Sequence, residues 1–516
     1  MMSKFEIEKQ AKQLIETDPA AAVEIYRKLW SEFQENFNVW DAFFSIKALR
    51  KALISDFDWA RTLVDKFEDE KVSGLFAWLV FDICIKNCER EKIIGFEELL
   101  LSLIVVSPQK NVKRDSTYPC PTTISIFKLI DAHSENQFNA VRINDLLGLL
   151  NVSYLSDAPQ IRKTEEKGDV ESASDFEKYY ALKTKALLKL KEYSACKSLC
   201  EEALTVIDKL HHDNDLWFRM RIAICNEHLG NIEKSKEQFE SILATREGGD
   251  KWFIYKELSG LYYEQGIYVS AWKYAIIAAL LGNEPKFMND LYLLQTKILY
   301  NLGRQEEGKI LAELIASVIK EQHWKIKDKY ARLLKYYKID TKALEDTGKY
   351  LKKAQDFWIK ERYRGVPKTI GQIVFVHNNG KVGKIEDSQG KAVGFHRKHF
   401  TKKPQNIADL KGATVEFYAM PSFDGSLTAE NIVVTSPAKK MLGHENIGKI
   451  YNGTVKNIVE FGIFVAIDGE SDGLLYKGKI PPGIRNTFHE LFKPGDPIKV
   501  EVIAVTEKGM QFRLVH

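Results

Sequence analysis

The sequence predicts a multidomain chain, an all-α array of helical repeats followed by two small all-β barrels. Three observations predict it. Fourteen of the 31 glycines lie in residues 1–365 and 17 in the last 151, so the tight turns that β structure needs are concentrated at the carboxy-terminal end. Apolar residues recur at helical spacing in the first part and in short alternating runs in the second. The change falls at Gly365-Val366-Pro367, where a proline follows a long helical pattern and helps to end it.

A chain of 516 residues with 45% hydrophobic and 28% charged residues has the balance of a globular protein. Its longest apolar runs, such as Leu99–Val106 and Ala275–Leu281, fall far short of the ~20 residues that cross a bilayer. The amino terminus is charged from its fourth residue and carries no apolar leader, so secretion and membrane partners are not expected. Six cysteines are few for this length, which fits a reducing, cytoplasmic setting. Charge is uneven: residues 1–319 carry 41 Lys+Arg against 49 Asp+Glu, whereas residues 320–516 carry 34 against 22. A basic segment on a nearly neutral chain points to a local anionic partner, of which nucleic acid is the commonest.

The helical part repeats. Leu190-Lys191-Glu192-Tyr193, Leu229-Gly230-Asn231-Ile232, Gln265-Gly266-Ile267-Tyr268 and Leu302-Gly303-Arg304-Gln305 align as turns spaced 39, 36 and 37 residues apart. Each is followed by a small residue (Cys196, Ser235, Ala271, Gly308) where one helix must approach the next closely, and then by apolar positions at helical spacing. The pattern resembles the tetratricopeptide (TPR) family of helix–turn–helix repeats. Asp18-Pro19 and Asp56-Phe57 open further helices near the amino terminus that read as degenerate units of the same kind. The organisation expected is 1–106, degenerate repeats; 107–172, an irregular helical connector ending in an exposed loop at Lys163–Asp169; and 173–365, the clear repeats with basic capping helices. Stacked repeats bury one extended core and present a groove, so a protein or peptide partner is expected there. Cys84/Cys88 and Cys196/Cys200 are i,i+4 pairs without two further ligands at matched spacing, and are read as buried small residues. His211-His212 is read as a polar loop.

Residues 366–436 read as five short strands with glycine turns, a Leu-x-x-Gly-x-x-Val-x-Phe strand and an Ala-x-Asn-Ile ending. This order resembles a cold-shock domain, which implies an oligonucleotide/oligosaccharide-binding (OB) barrel with a stacking platform for single-stranded bases. Phe375 and His396 keep family positions, while Val382, Lys384 and Gly394 stand where rings are expected. Basic residues are plentiful instead; Lys381, Lys384, Arg397 and Lys398 are the candidate contacts.

Residues 446–516 carry the sharper signal. Gly453-Thr454-Val455-Lys456-Asn457-Ile458 runs into Glu460-Phe461-Gly462-Ile463-Phe464-Val465, then Gly473-Leu474-Leu475-Tyr476 and Pro494-Gly495-Asp496. The segment is similar to the S1 RNA-binding domain, again an OB barrel. The resemblance implies that Phe461 and Phe464 stack on single-stranded RNA. Tyr476 stands at a usual histidine, and Lys456, Lys477, Lys479 and Arg513 are candidate strand contacts. Thr506 and Gln511 replace an expected aspartate and arginine. Alternation alone places Ile463, Val465 and Ile467 on one face and Phe464 and Ala466 on the other.

Gly443-x4-Gly448-Lys449 imitates a phosphate-binding loop, but Ile450 replaces the Mg²⁺-binding hydroxyl residue and a strand follows where a helix is required. No motif argues for catalysis, a metal or a cofactor. The function expected is a non-enzymatic adaptor: tandem barrels hold single-stranded RNA, with single-stranded DNA the second candidate, and the repeats recruit protein. The alternative is an interaction scaffold whose barrels bind no nucleic acid. The layout also resembles accessory proteins of bacterial TOTE-type conflict systems, which would place the chain in defence.

Overall fold

The computed structural model describes residues 3–112, 120–135, 137–164, 168–245, 247–282, 284–423, 425–437, 444–467, 472–506 and 509–515. It divides into two compact units, Met1–Leu351 and Lys352–His516.

The first unit is built almost entirely from helices. Their starts are set by side chains that satisfy the free amide groups of the first turn. Asp18 accepts from Ala21 N–H (3.1 Å) ahead of helix Pro19–Glu32, and Asp56 accepts from Trp59 N–H (3.3 Å) ahead of Phe57–Phe67. Asn38 and Asp41 form a reciprocal capping box at Val39–Ala52.

The aligned repeats become four helix pairs: Asp175–Lys189 with Tyr193–Val206, Asn214–His228 with Ile232–Ala244, Trp252–Glu264 with Tyr268–Leu281, and Asn289–Asn301 with Gln305–Glu321. Each turn reverses through one left-handed residue: Lys191 (φ 64°), Gly230 (84°), Gly266 (74°) and Gly303 (71°). The small residue that follows is buried in every pair. Ser235 Oγ donates to Ala223 O (2.8 Å) and Cys196 Sγ to Thr184 O (3.3 Å), tying the second helix to the first where they lie closest. At Gly308 any side chain would run into the Tyr337 hydroxyl.

The connector is more ordered than expected. Helices Pro121–Ser134 and Ala140–Gly148 pack Ile126, Leu129, Ile130, Leu146 and Leu147 into the same core as the amino-terminal helices. Pro121 occupies the first helical position, where its missing N–H costs nothing, so it starts a helix rather than breaking one. The loop expected at Lys163–Asp169 is the end of a two-stranded antiparallel hairpin, β1 (Gln160–Thr164) and β2 (Gly168–Ser172); residues 165–167 lie outside the described residues. His211 is drawn into the fold: its Nδ1 lies 2.8 Å from buried Glu177, whose other carboxylate oxygen accepts from His211 N–H (2.6 Å) and Asn214 Nδ2 (2.8 Å). Cys84, Cys196 and Cys200 are buried free thiols, and Cys88 is half-buried.

The second unit holds two closed five-stranded barrels. The first comprises β3 (Thr369–Val376), β4 (Val382–Asp387), β5 (Ala392–His396), β6 (Thr414–Pro421) and β7 (Leu427–Ser436), in the order β3-β4-β5-β7-β6. Its interior is Ile373, Ile385, Val393, Phe395, Val415, Phe417 and Ile432. The second comprises β8 (Ile450–Val459), β9 (Gly462–Ala466), β10 (Gly473–Tyr476), β11 (Pro497–Thr506) and β12 (Gly509–Leu514), in the order β10-β12-β11-β8-β9. Val455, Ile463, Val465, Leu475, Phe488, Val500 and Phe512 fill it. Lys449 leads directly into strand β8, as the missing Mg²⁺ hydroxyl implied; Gly443 is outside the described residues.

The end of helix Thr347–Arg362 is clamped onto the first barrel. Arg362 meets Glu430 with two hydrogen bonds (2.8 and 3.1 Å), Tyr363 Oη donates to the same carboxylate (3.1 Å), and the Tyr363 ring stacks on Tyr418 with centroids 4.1 Å apart. Burial works against the Glu430 charge, but the guanidinium outweighs it and holds the carboxyl below its ordinary range.

Candidate nucleic-acid interface

In the second barrel, Ile463 and Val465 point inward and are fully buried, which forces Phe464 outward between them. Pairing of β9 with β10 sets Phe464 opposite Leu474 and Gly462 opposite Tyr476, so Phe464, Leu474 and Tyr476 share the outer face. Glycine at 462 is required there, because a Cβ would strike the Leu475 carbonyl. Phe461, in the turn before β9, is 50% exposed and meets Phe464 edge to face at 6.4 Å; Tyr476 is 53% exposed. Three rings therefore stand together on the wall of a small barrel, where leaving apolar area in water is unfavourable by roughly 25 cal/mol per Å².

The cations around these rings fall into two groups. Lys456 is ion-paired with Asp472, and Arg513 Nε donates to Glu501 (3.0 Å), so both already hold a carboxylate. Lys477 and Lys479 lie on the short 3-10 turn that follows Tyr476, and Lys479 is exposed. Thr506 Oγ1 donates to Gly509 O (2.9 Å), closing the β11–β12 turn.

In the first barrel, register sets Phe375 opposite Lys384, Lys384 opposite Gly394, and Val382 opposite His396. These residues share one outer face, on which Phe375 is 47% exposed and Lys384 is exposed. Lys381 follows the Asn378–Gly380 turn and is exposed. His396 is half-buried, and its Nδ1 accepts from Lys398 N–H (3.1 Å). Arg397 is spent internally, its Nε donating to Pro404 O (2.9 Å). Beside this face, His399 Nδ1 lies 3.0 Å from Ala429 O, and burial, reinforced by Lys398, pushes its pKa down to about 4.

Each barrel carries a bulge in its first strand that sequence reasoning did not find. In β3 the pairing slips by one residue between Ile373 and Phe375, and in β8 between Val455 and Asn457. The extra residue leaves two successive side chains outside: Val374 with Phe375, and Lys456 with Asn457. Asn457, rather than Lys456, thereby faces Phe464 across the strands. A bulge has no composition signal in Thr454–Ile458; only the conflict with strict alternation hints at it. The Arg362–Glu430 clamp, between residues 68 apart, was equally invisible. Among the described residues, no cluster of three or more His, Cys, Asp or Glu side chains is placed to hold a metal, and no helix is long and apolar enough to cross a membrane.

The S1 RNA binding domain family matches residues 445–514, and the chain carries an S1 RNA-binding domain there. The polyribonucleotide nucleotidyltransferase of Sulfurovum sp. is 30% identical over 142 residues, covering 22% of this chain and only 19% of that protein. The solution structure of GSP13 from Bacillus subtilis is 29% identical, covers 15% of this chain and 56% of that one, and has a TM-score of 0.13. A tetratricopeptide repeat protein from Parabacteroides merdae is 13% identical, covers 65% of this chain and 98% of that one, and has a TM-score of 0.27.

Proposed function

We propose that this chain is a non-enzymatic adaptor that holds single-stranded RNA on its carboxy-terminal barrels and recruits protein through its helical repeats. The observation that carries the reading is the outward trio Phe461, Phe464 and Tyr476 on a barrel that belongs to the S1 RNA-binding domain. Rings fixed by a rigid β-wall offer unpaired bases a stacking surface at little conformational cost, worth about 1–3 kcal/mol per base. Lys477 and Lys479 lie next to Tyr476 in sequence, where they can meet the phosphates of a stacked strand. The first barrel adds charge rather than rings, through Lys381, Lys384 and Lys398 around Phe375 and His396.

The test is anisotropy titration of a labelled single-stranded RNA at fixed salt. Replacing both Phe461 and Phe464 with Ala should weaken binding at least tenfold. Unchanged affinity would remove stacking and favour the scaffold alternative. Equal binding of a DNA strand of the same sequence would widen the ligand to single strands in general.

A further inference from the structure

We infer that the last helices of the repeat array carry a second site for single-stranded RNA, separate from the barrels and built from Lys297, Tyr300, Arg332, Lys335 and Tyr336. The array runs one turn further than the aligned glycines show. Lys338 is left-handed (φ 51°); its N–H donates to Lys335 O (3.2 Å), and Ile339 N–H donates to Leu334 O (3.0 Å). Gly303 and Arg304 close the preceding turn on Tyr300 O and Leu299 O in the same way. Helix Asp328–Tyr336 is therefore the first helix of a further unit, beside Asn289–Asn301. Lys329 and Tyr330 both reach Asp290, and Tyr336 meets Tyr300 edge to face at 5.9 Å.

Aligned on these turns, Arg332 takes the place of Lys297 and Lys335 the place of Tyr300 on the neighbouring helix. Residues three or four apart share a helix face, so Arg332 stands with Lys335 and Tyr336, and Lys297 with Tyr300. All five are exposed, Tyr300 by 53% and Tyr336 by 55%. Among the described residues, the side chains of Lys297, Arg332 and Lys335 have no hydrogen-bond or ion-pair partner. Asp290 is already held by Lys329 and Tyr330, and Glu306 borders the patch on the Tyr337 side. The preceding helices carry the opposite charge: burial, with Glu257 and Glu264 close by, pushes the Glu227 pKa up to about 7. A polyanion is therefore confined to the last two first helices. Three unpaired cations call for an anion, and two exposed rings beside them call for a flat apolar group. A nucleotide supplies both in one unit, phosphate and base. An acidic peptide supplies the charge but needs a pocket, rather than an open ring, for its apolar side chains.

The experiment is anisotropy titration of the full chain with a labelled single-stranded RNA over a range of salt, followed by photocrosslinking of the same RNA carrying 4-thiouridine. Lys297→Gln with Arg332→Gln and Lys335→Gln should lower the slope of log affinity against log salt by about 2, as three lost phosphate contacts require. Tyr300→Ala with Tyr336→Ala should weaken binding about tenfold. Crosslinks in the wild-type chain should map to these two helices as well as to the barrels. Circular dichroism checks that both variants fold. An unchanged slope, or crosslinks confined to the barrels, overturns the inference. If a polyglutamate peptide binds the chain and the triple substitution abolishes that binding without changing the RNA slope, the site belongs to an acidic protein segment instead. Phe461→Ala with Phe464→Ala tests the barrels separately and should leave the helical crosslinks in place.

Discussion

The two barrels share a strand order and a bulge in the first strand, yet they equip the same outer face differently. The S1 barrel sets three rings there, and two of its nearest cations are already bound to carboxylates. The first barrel sets Phe375 and His396 beside Val382, Lys384 and Gly394, and its Lys381 and Lys384 stand exposed. Stacking is short-ranged and nearly indifferent to salt, whereas attraction between lysine and phosphate is long-ranged and screened. A strand held by both would be drawn in by one surface and gripped by the other. Linked weak sites also gain from effective concentration when both engage one strand.

The largest difference expected between the barrels at neutral pH lies at the Arg362–Glu430 clamp. Arg362→Ala leaves Glu430 beside Tyr363 with no cation, and because that carboxylate keeps some contact with water, the loss should be about 2 kcal/mol rather than the full cost of an orphaned buried charge. Hydrogen-exchange protection in β6 and β7 should fall while β8–β12 are unchanged, and adding Glu430→Gln should restore much of it. Equal loss in both barrels would show that the clamp is not specific to the first.

Acid should separate them next. His399 has its pKa lowered by burial to about 4 from an ordinary 6.5, so the folded barrel binds this proton less readily than the unfolded chain. Its contribution is complete well above pH 6.5 and is lost as pH falls toward 4, a loss of up to about 3 kcal/mol. Glu430, also held low, loses its contribution at still lower pH, once its own carboxyl protonates. Exchange rates in β7 measured from pH 7 to pH 4, corrected for intrinsic chemistry, should rise; His399→Phe should flatten the upper part of the profile.

The smallest effect is in the salt dependence of RNA binding. Lys381→Gln with Lys384→Gln should reduce the slope of log affinity against log salt by about 1, and Lys456→Gln by less than about 0.3, since Asp472 already neutralises that lysine. A larger change from Lys456 would place the electrostatic contact on the S1 barrel and erase the division of labour.

Much of this was legible in the sequence because repetition and alternation are direct images of geometry. Gly230, Gly266 and Gly303 mark left-handed turns, and their alignment exposes Lys191 as a fourth, although a lysine carries no such signal by itself. Inward Ile463 and Val465 dictated an outward Phe464. What stayed hidden lacks a period. The β1–β2 hairpin has exposed residues on both sides, among them Ile161, so no alternation announces it. Pro121 reads as a breaker unless the helix that begins with it is known. The ion pairs that silence Lys456 and Arg513 join residues 16 and 12 positions apart: Arg513 meets Glu501 directly across the β11–β12 hairpin, and Lys456 reaches Asp472 just ahead of β10, so both depend on strand register.

A regular β-ladder obeys a parity rule: only every second side chain can look toward a guest. The supernumerary residue in β8 suspends that rule for one step, admitting a cation and an amide as immediate neighbours on the same wall. Excising position 456 would restore perfect parity, and the wall would then display one guest-facing side chain where it now displays two.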